Sequence, residues 1–291
     1  MTKSGLSSAS ITFVGAGSMA EAIVRGLTSQ QDGNPSRITM INRSNQERLM
    51  ELHERYGVSC AADDAAKAAA IAQADVIVAA FKPKDAIEGL KALAPQLTSG
   101  QLLVSVIAGL SISTIEAVIG VSGQPIVRTM PNTSSSIGLG ATGLSFSAAV
   151  SAEQRQLAID IFASTGIVSV VEESKLDIVT GVSGSGPAYI YYMMEAMIEG
   201  GIRGGLSPEA ARELTVQTVL GAAKMVELTG EEPAELRRKV TSPNGTTQAA
   251  IETLDRHDFA VGVTQAVLRC AERAAELGDA ITSQAATVQS K

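Results

Sequence analysis

Residues 11–27 read ITFVGAGSMAEAIVRGL, and this segment leaves the chain few ways to fold. Ile11, Thr12, Phe13 and Val14 are strand formers, and an apolar helical pattern follows from Ser18. Between them Gly15 can take a turn conformation that other residues avoid, and Gly17 lets the backbone approach an anion closely. Ala20, at the third position of the pattern, is small enough for the helix to lie against the strand. The unpaired N–H groups of the helix start then face a pyrophosphate. Gly15, Ala16, Gly17, Ser18, Met19 and Ala20 are therefore candidate cofactor contacts.

The pattern after this opening is one of short β-branched runs separated by helical stretches. Strands are expected in ITFVG, RITMIN, DVIVAAF, QLLVSVIAG, PIVRTM, GATGLSFS and GIVSVV. The run 76–81 is apolar throughout and 102–107 is apolar but for Ser105, as in strands buried on both faces. Such alternation predicts an α/β domain, a Rossmann-type parallel sheet wrapped by helices, over residues 11–171, after a mobile tail at 1–10. Residues 172–291 show only helical patterns and are expected to form an all-helical domain. Ile190, Met193, Met194, Met197 and Ile198 make one stripe there, suited to a core or a subunit interface. Ser207 and Pro208 start a helix that ends at Gly230, and a last helix runs from Phe259 to about Leu277.

Composition narrows the function. A net charge of −7 argues against a nucleic-acid backbone as partner, and with aromatics at 3% and no Trp there is no stacking platform for bases. Cys60 and Cys270 form no CxxC pair, which fits ordinary thiols in a reduced compartment. His53 and His257, the only histidines, have no ligand partner nearby, so no metal is expected. No apolar run approaches the ~18 residues of a membrane span, and no signal peptide is evident. A cytoplasmic enzyme with a small-molecule substrate is the expectation.

The cofactor can be read from strand ends. At the second strand an NAD site places a carboxylate for the ribose hydroxyl, but this chain has Asn42, Arg43 and Ser44. An arginine beside hydroxyls suits a 2′-phosphate, so NADP(H) is expected to be preferred, with NAD(H) as the alternative. Two further strand ends, Ala80, Phe81, Lys82 and Pro83, and Ala108 and Gly109, are placed to border the cofactor, Gly109 by leaving room for it.

The segment TSPNGTTQAAIETL, 241–254, crowds hydroxyls and glycine before a helix without any charge, more than an ordinary cap requires. With VGAGSMA, FKP, VRTMPNT and TGVSGSGPAY, it makes the chain resemble the pyrroline-5-carboxylate reductases over nearly its whole length. The resemblance implies hydride transfer from NAD(P)H to the C=N bond of 1-pyrroline-5-carboxylate, giving L-proline in the last step of its biosynthesis. It also implies a homodimer interlocked through the helical domain, often assembled into a ring of dimers, with substrate between the cofactor and the partner's helices. Carried over by residue, Ser183, Gly184 and Ser185 lie near nicotinamide and substrate. Asn244, Gly245, Thr246 and Thr247 bind substrate, while Thr247 and Ser242 are the candidate catalytic residues. Asn244 stands where the family usually has glycine, and asparagine tolerates a left-handed backbone. Asp63 and Asp64 stand where many relatives have Asp-Asn, and the extra carboxylate works against a 2′-phosphate.

The neutral loop suits this substrate. Backbone N–H groups and hydroxyls can hold a carboxylate without opposing a protonated iminium, as a fixed arginine charge would. A free threonine hydroxyl is a poor acid, so Thr247 is read as orienting the ring nitrogen or relaying a proton from water. Two alternatives remain at this point. One is a β-hydroxyacid-dehydrogenase-like oxidoreductase using Lys175 as acid–base, and the other is a non-catalytic dinucleotide-binding sensor.

Overall fold

A computed structural model describes residues 5–31 and 33–289, with side chains to residue 285. The strands are β1 (Ile11–Val14), β2 (Ile38–Ile41), β3 (Ser59–Ala61), β4 (Val76–Ala79), β5 (Leu102–Ser105), β6 (Ile126–Met130), β7 (Gly140–Phe146) and β8 (Gly166–Val170). They form a single sheet in the order β3-β2-β1-β4-β5-β6-β7-β8. The helices threaded through it are α1 (Ser18–Thr28), α2 (Gln46–Tyr56), α3 (Asp64–Ala72), α4 (Ala86–Leu93), α5 (Ile112–Ile119) and α6 (Ala152–Ala163). Strand order reverses beside β1, so a crevice opens between the carboxyl ends of β1 and β4, where ligands of such sheets bind.

Both faces of the central strands are covered, as their unbroken apolar runs require. Phe13, Met40, Val78 and Val104 face one cluster with Ile23, Leu52 and Phe162, while Ile77, Leu103 and Ile126 face another with Leu90 and Ile115. All seven expected strands are present, and β3 is an addition.

The sheet differs from the expected parallel one at one pair, since β7 runs antiparallel to β6. Only residues 131–139 join them, with a short 3₁₀ turn at Thr133–Ile137. A parallel return needs a crossover of about a dozen residues or more. β8, reached through α6, is again parallel to its neighbour.

The expected mobile tail divides. Residues 1–4 lie outside the described residues, but Gly5–Ser7 form a 3₁₀ turn, Leu6 packs on the core, and Ala9 is buried. The Ser10 N–H donates to Asp75 Oδ2 at 2.7 Å, fixing the approach to β1.

After β8 come α7 (Leu176–Val179), α8 (Gly186–Arg203), α9 (Pro208–Thr229), α10 (Pro233–Lys239), α11 (Thr246–Arg256) and α12 (Phe259–Gln289). The compact units do not divide at 171/172. One reaches Gly184 and takes back Arg269 onward, and the other is Ser185–Leu268. In the first unit, Ile281 and Ala285 of α12 join the core beside α5, and Thr282 Oγ1 lies 2.8 Å from Thr114 Oγ1. In the second, α8 packs on α9 where a Cβ at Gly201 would lie 3.1 Å from that of Ala211. Ala211 and Thr215 are its only buried residues among those described.

Candidate active site

The glycine loop is shaped by its neighbours. Gly15 has φ +117°, and a Cβ there would run into the Ala80 carbonyl at the end of β4. Its N–H donates to Ile41 O at 2.9 Å, and Ala80 N–H donates to Val14 O at 3.0 Å, so three strand ends are tied at this point. Gly17 is the N-cap of α1, extended, with no side chain capping the helix. A Cβ on Gly17 would meet nothing within 4 Å, which leaves open the space a phosphate would take. Ala20 is fully buried against the strands, as a small third residue should be. The loop thus fits a diphosphate, with open backbone, an uncapped helix start and no obstructing side chain.

A cleft of about 1240 Å³ opens in front of this loop. It is lined by Gly15, Ala16, Gly17, Ser18, Asn42, Arg43, Ala80, Phe81 and Lys82, nine of the residues expected from the sequence. Met19 and Ala20 pack inward on the core. Ser44, Pro83, Ala108 and Gly109 do not line the cleft. Pro83 begins a 3₁₀ turn instead. Gly109, at φ +76°, makes room for α12 in place of a ligand. A Cβ at 109 would sit 3.3 Å from Gly278 N, and one at Gly278 would sit 2.6 Å from Gly109 O.

Arg43 stands at the cleft with its side chain 80% exposed, 3.9 Å from Asp85. Asp63 is a helix cap, its Oδ1 accepting from Ala66 N–H at 2.8 Å, so it is occupied within its own chain. Asp64 is exposed on the cleft and lies 3.5 Å from Lys67.

The sequence reading missed Glu21 and Arg48, both of which line the cleft. Glu21, in the first turn of α1, accepts from Arg48, from Arg55 at 2.8 Å and from Tyr56 Oη at 2.9 Å. Burial pushes its pKa up, but bonds from Arg48 and Tyr56, the Arg48 charge and the Arg55 bond outweigh this and hold it below the ordinary 4.5. A carboxyl lowered on folding contributes stability above its unfolded pKa and loses it as pH falls through the folded value. Glu21→Gln is therefore expected to flatten the acid limb of the stability curve. Denaturant midpoints measured between about pH 6 and pH 3 check this, and parallel limbs would refute it.

The turn at 241–247 is built from equally local rules. Asn244 takes φ +57°, the left-handed conformation available to asparagine, and its N–H donates to Gln248 Oε1 at 2.7 Å. Gly245 caps α11, and its N–H donates to Ser242 O at 3.0 Å. A Cβ on Gly245 would collide with Ser242 Oγ. The first turn of α11 has no acidic residue and no side-chain cap, and among the described residues no partner engages the hydroxyls of Ser242, Thr246 and Thr247. An uncapped helix start beside three unengaged hydroxyls has the donors to hold a carboxylate without adding charge.

Residues 180–184 form one π-helical turn leading into α8. Ser183 Oγ donates to Val179 O at 3.1 Å and its carbonyl accepts from Asn132 Nδ2 at 3.0 Å, so its side chain is engaged by the helix. A Cβ on Gly184 would lie 2.7 Å from Met130 Cε, so that glycine serves packing. Ser185 begins α8. Lys175, the rival acid–base, is an exposed residue closing a 3₁₀ turn ahead of α7, whereas that mechanism needs it on a long helix. Among the described residues no group of His, Cys, Asp and Glu could hold a metal ion, and no helix is long and apolar enough to cross a membrane.

A sheet of this order with a glycine cleft at its switch point, followed by helices, has the dinucleotide-binding arrangement of Rossmann-type oxidoreductases. Residues 10–109 match the family described as NADP oxidoreductase coenzyme F420-dependent, and residues 173–277 match pyrroline-5-carboxylate reductase dimerisation. The chain belongs to the pyrroline-5-carboxylate reductase family. It is 41% identical over 276 residues to pyrroline-5-carboxylate reductase 1 of Bacillus subtilis (strain 168), covering 95% of this chain and 92% of that one. The enzyme of Pseudomonas aeruginosa is also 41% identical, over 94% of this chain and 98% of its own. Among solved structures, the pyrroline-5-carboxylate reductase of Coxiella burnetii superposes with a TM-score of 0.86 at 39% identity, covering 92% and 98% of the two chains. That of Plasmodium falciparum, with NADP bound, gives 0.83 at 29% identity over 94% and 100%. The resemblance read from the sequence is borne out, as is the fold class.

Proposed function

We propose that the protein reduces 1-pyrroline-5-carboxylate to L-proline with NADPH, as a homodimer. The observation that carries this reading is the turn at 242–247. Its left-handed Asn244, bare helix start and unengaged hydroxyls make a charge-free receptor for the carboxylate of a cyclic imine. When bound, the reduced nicotinamide supplies the hydride that goes to the imine carbon. Residues 15–18, at the start of α1, would hold the diphosphate, and Arg43 would give the 2′-phosphate a charge-assisted bond. Thr246 and Thr247 hold the substrate carboxylate and ring nitrogen in place, with Thr247 either orienting that nitrogen or relaying a water-derived proton to it. The dimer follows from the helical unit, which leaves Tyr191, Tyr192, Leu214, Leu220, Met225 and Leu228 exposed over almost no core of its own.

NADPH oxidation by the purified protein with pyrroline-5-carboxylate, run beside NADH and beside a β-keto acid, tests this reading. Turnover with the imine alone supports it, and turnover with the keto acid alone would replace it. Arg43→Ala is expected to lower the NADPH-to-NADH ratio of kcat/KM by about tenfold, the scale of one exposed charge-assisted bond. An unchanged ratio would remove Arg43 from cofactor selection.

A further inference from the structure

The family reading leaves unexplained an acidic residue at the anion-binding end of α1. Glu21 lines the cleft with Gly17 and Ser18, where the diphosphate is to sit. An isolated carboxylate there would repel the phosphates and compete with them for the positive end of the helix. It is not isolated. The Arg48 guanidinium on α2 donates from Nη2 to Glu21, from Nη1 to Glu51 at 2.7 Å, and from Nε to the Ala16 carbonyl at 3.1 Å. Arg55 also bridges Glu21 and Glu51, at 2.8 and 3.4 Å. Two carboxylates and two guanidiniums sum to zero, so the cluster brings no net charge to the phosphates.

The bond to Ala16 acts on geometry. In a trans peptide, the C=O of one residue and the N–H of the next point in opposite directions. With the Ala16 carbonyl turned onto Arg48, the Gly17 N–H points the other way, and the Gly17 carbonyl is taken up by the Glu21 N–H at 3.0 Å. We infer that Arg48 is a positioning residue for the dinucleotide diphosphate, masking the Glu21 charge and holding the Ala16 peptide so that the loop presents donors. This rests on the proposed dinucleotide binding. Besides Arg48, α2 is anchored by the buried Leu49 and Leu52.

Binding of NADPH and of 2′-AMP to the full-length protein tests the inference, because 2′-AMP carries the adenosine-side phosphate and no diphosphate. Arg48→Met is expected to weaken NADPH binding by about tenfold or more, and to leave 2′-AMP binding within about twofold. The KM for NADPH should rise accordingly, with a much smaller fall in kcat at saturating cofactor. Glu21→Gln combined with Arg48→Met should recover much of the lost affinity, because the unmasked charge is gone. Arg48→Lys, which keeps a charge but not the three-way fork, should fall between. If Arg48→Met binds NADPH as the unaltered protein does, or loses both ligands equally, Arg48 is a structural clamp and the inference fails. If the double variant is no better than Arg48→Met, charge masking is refuted. Failure of the unaltered protein to bind NADPH would instead refute the functional reading on which the inference stands.

Discussion

Gly15→Ala is expected to abolish measurable dinucleotide binding and to destabilise the protein by roughly 2–4 kcal/mol, the sum of a disallowed backbone and a forced contact. The new Cβ would meet backbone, the Ala80 carbonyl, which cannot rotate away as a side chain can. Nor can the loop relax freely, because Gly15 N–H is bonded to Ile41 O at 2.9 Å and Ala80 N–H to Val14 O at 3.0 Å. Relief requires the ends of β1 and β4 to separate, which disturbs the start of α1 and with it the phosphate cradle. Gly17→Ala is the control. Its φ of −77° suits alanine and its Cβ would enter open space, so stability should change by less than about 0.5 kcal/mol. Binding should still weaken, because that space is where the phosphate goes. Denaturant midpoints and NADPH titrations of both variants decide the matter. A Gly15→Ala protein as stable and as competent as Gly17→Ala would contradict the assigned roles of the two glycines.

The strands that carry the site were legible because β4 is apolar at every position and β5 at all but Ser105, a pattern that two-sided burial explains. β3 was not, since Ser59, Cys60 and Ala61 form a three-residue edge strand with two exposed members and no β-branched residue. The antiparallel setting of β7 depends on how short its approach is, which becomes visible only once β6 is placed. Gly278 shows how a correct local rule can mislead. A glycine after Leu277 reads as a helix stop, yet α12 continues to Gln289. The glycine is there because Gly109 O would lie 2.6 Å from a Cβ at that position. The same contact explains why Gly109 is absent from the cleft. Arg48 escaped for a related reason, because spacing within α2 announces only Glu51, three residues on, while its partners on α1 and on the glycine loop are remote in sequence. The turn at 242–247 was readable throughout, since asparagine, glycine and hydroxyl residues determine their own backbone within a few positions.

That locality makes Thr247 a clean target. Thr247→Val keeps the shape of the side chain and removes a hydroxyl that no partner among the described residues engages, so folding should be unaffected. Turnover should not be spared. A proton-transfer or nitrogen-orienting role is worth about a hundredfold in kcat, and the KM for NADPH should hardly move. Thr247→Ser, which restores the hydroxyl, should recover most of the rate, and Thr247→Ala should match Thr247→Val. Asn244→Gly should be nearly silent, because glycine enters the left-handed region at φ +57° more easily than asparagine. The shape of the pH profile separates the two roles left to the hydroxyl. If Thr247 only orients the ring, the profile keeps its form and drops uniformly; if it relays a proton from water, the loss deepens as pH rises and the free imine predominates. Should Thr247→Ala retain full turnover while Thr247→Val loses it, bulk at the mouth of α11 is what matters, and the hydroxyl has no part in the proton transfer.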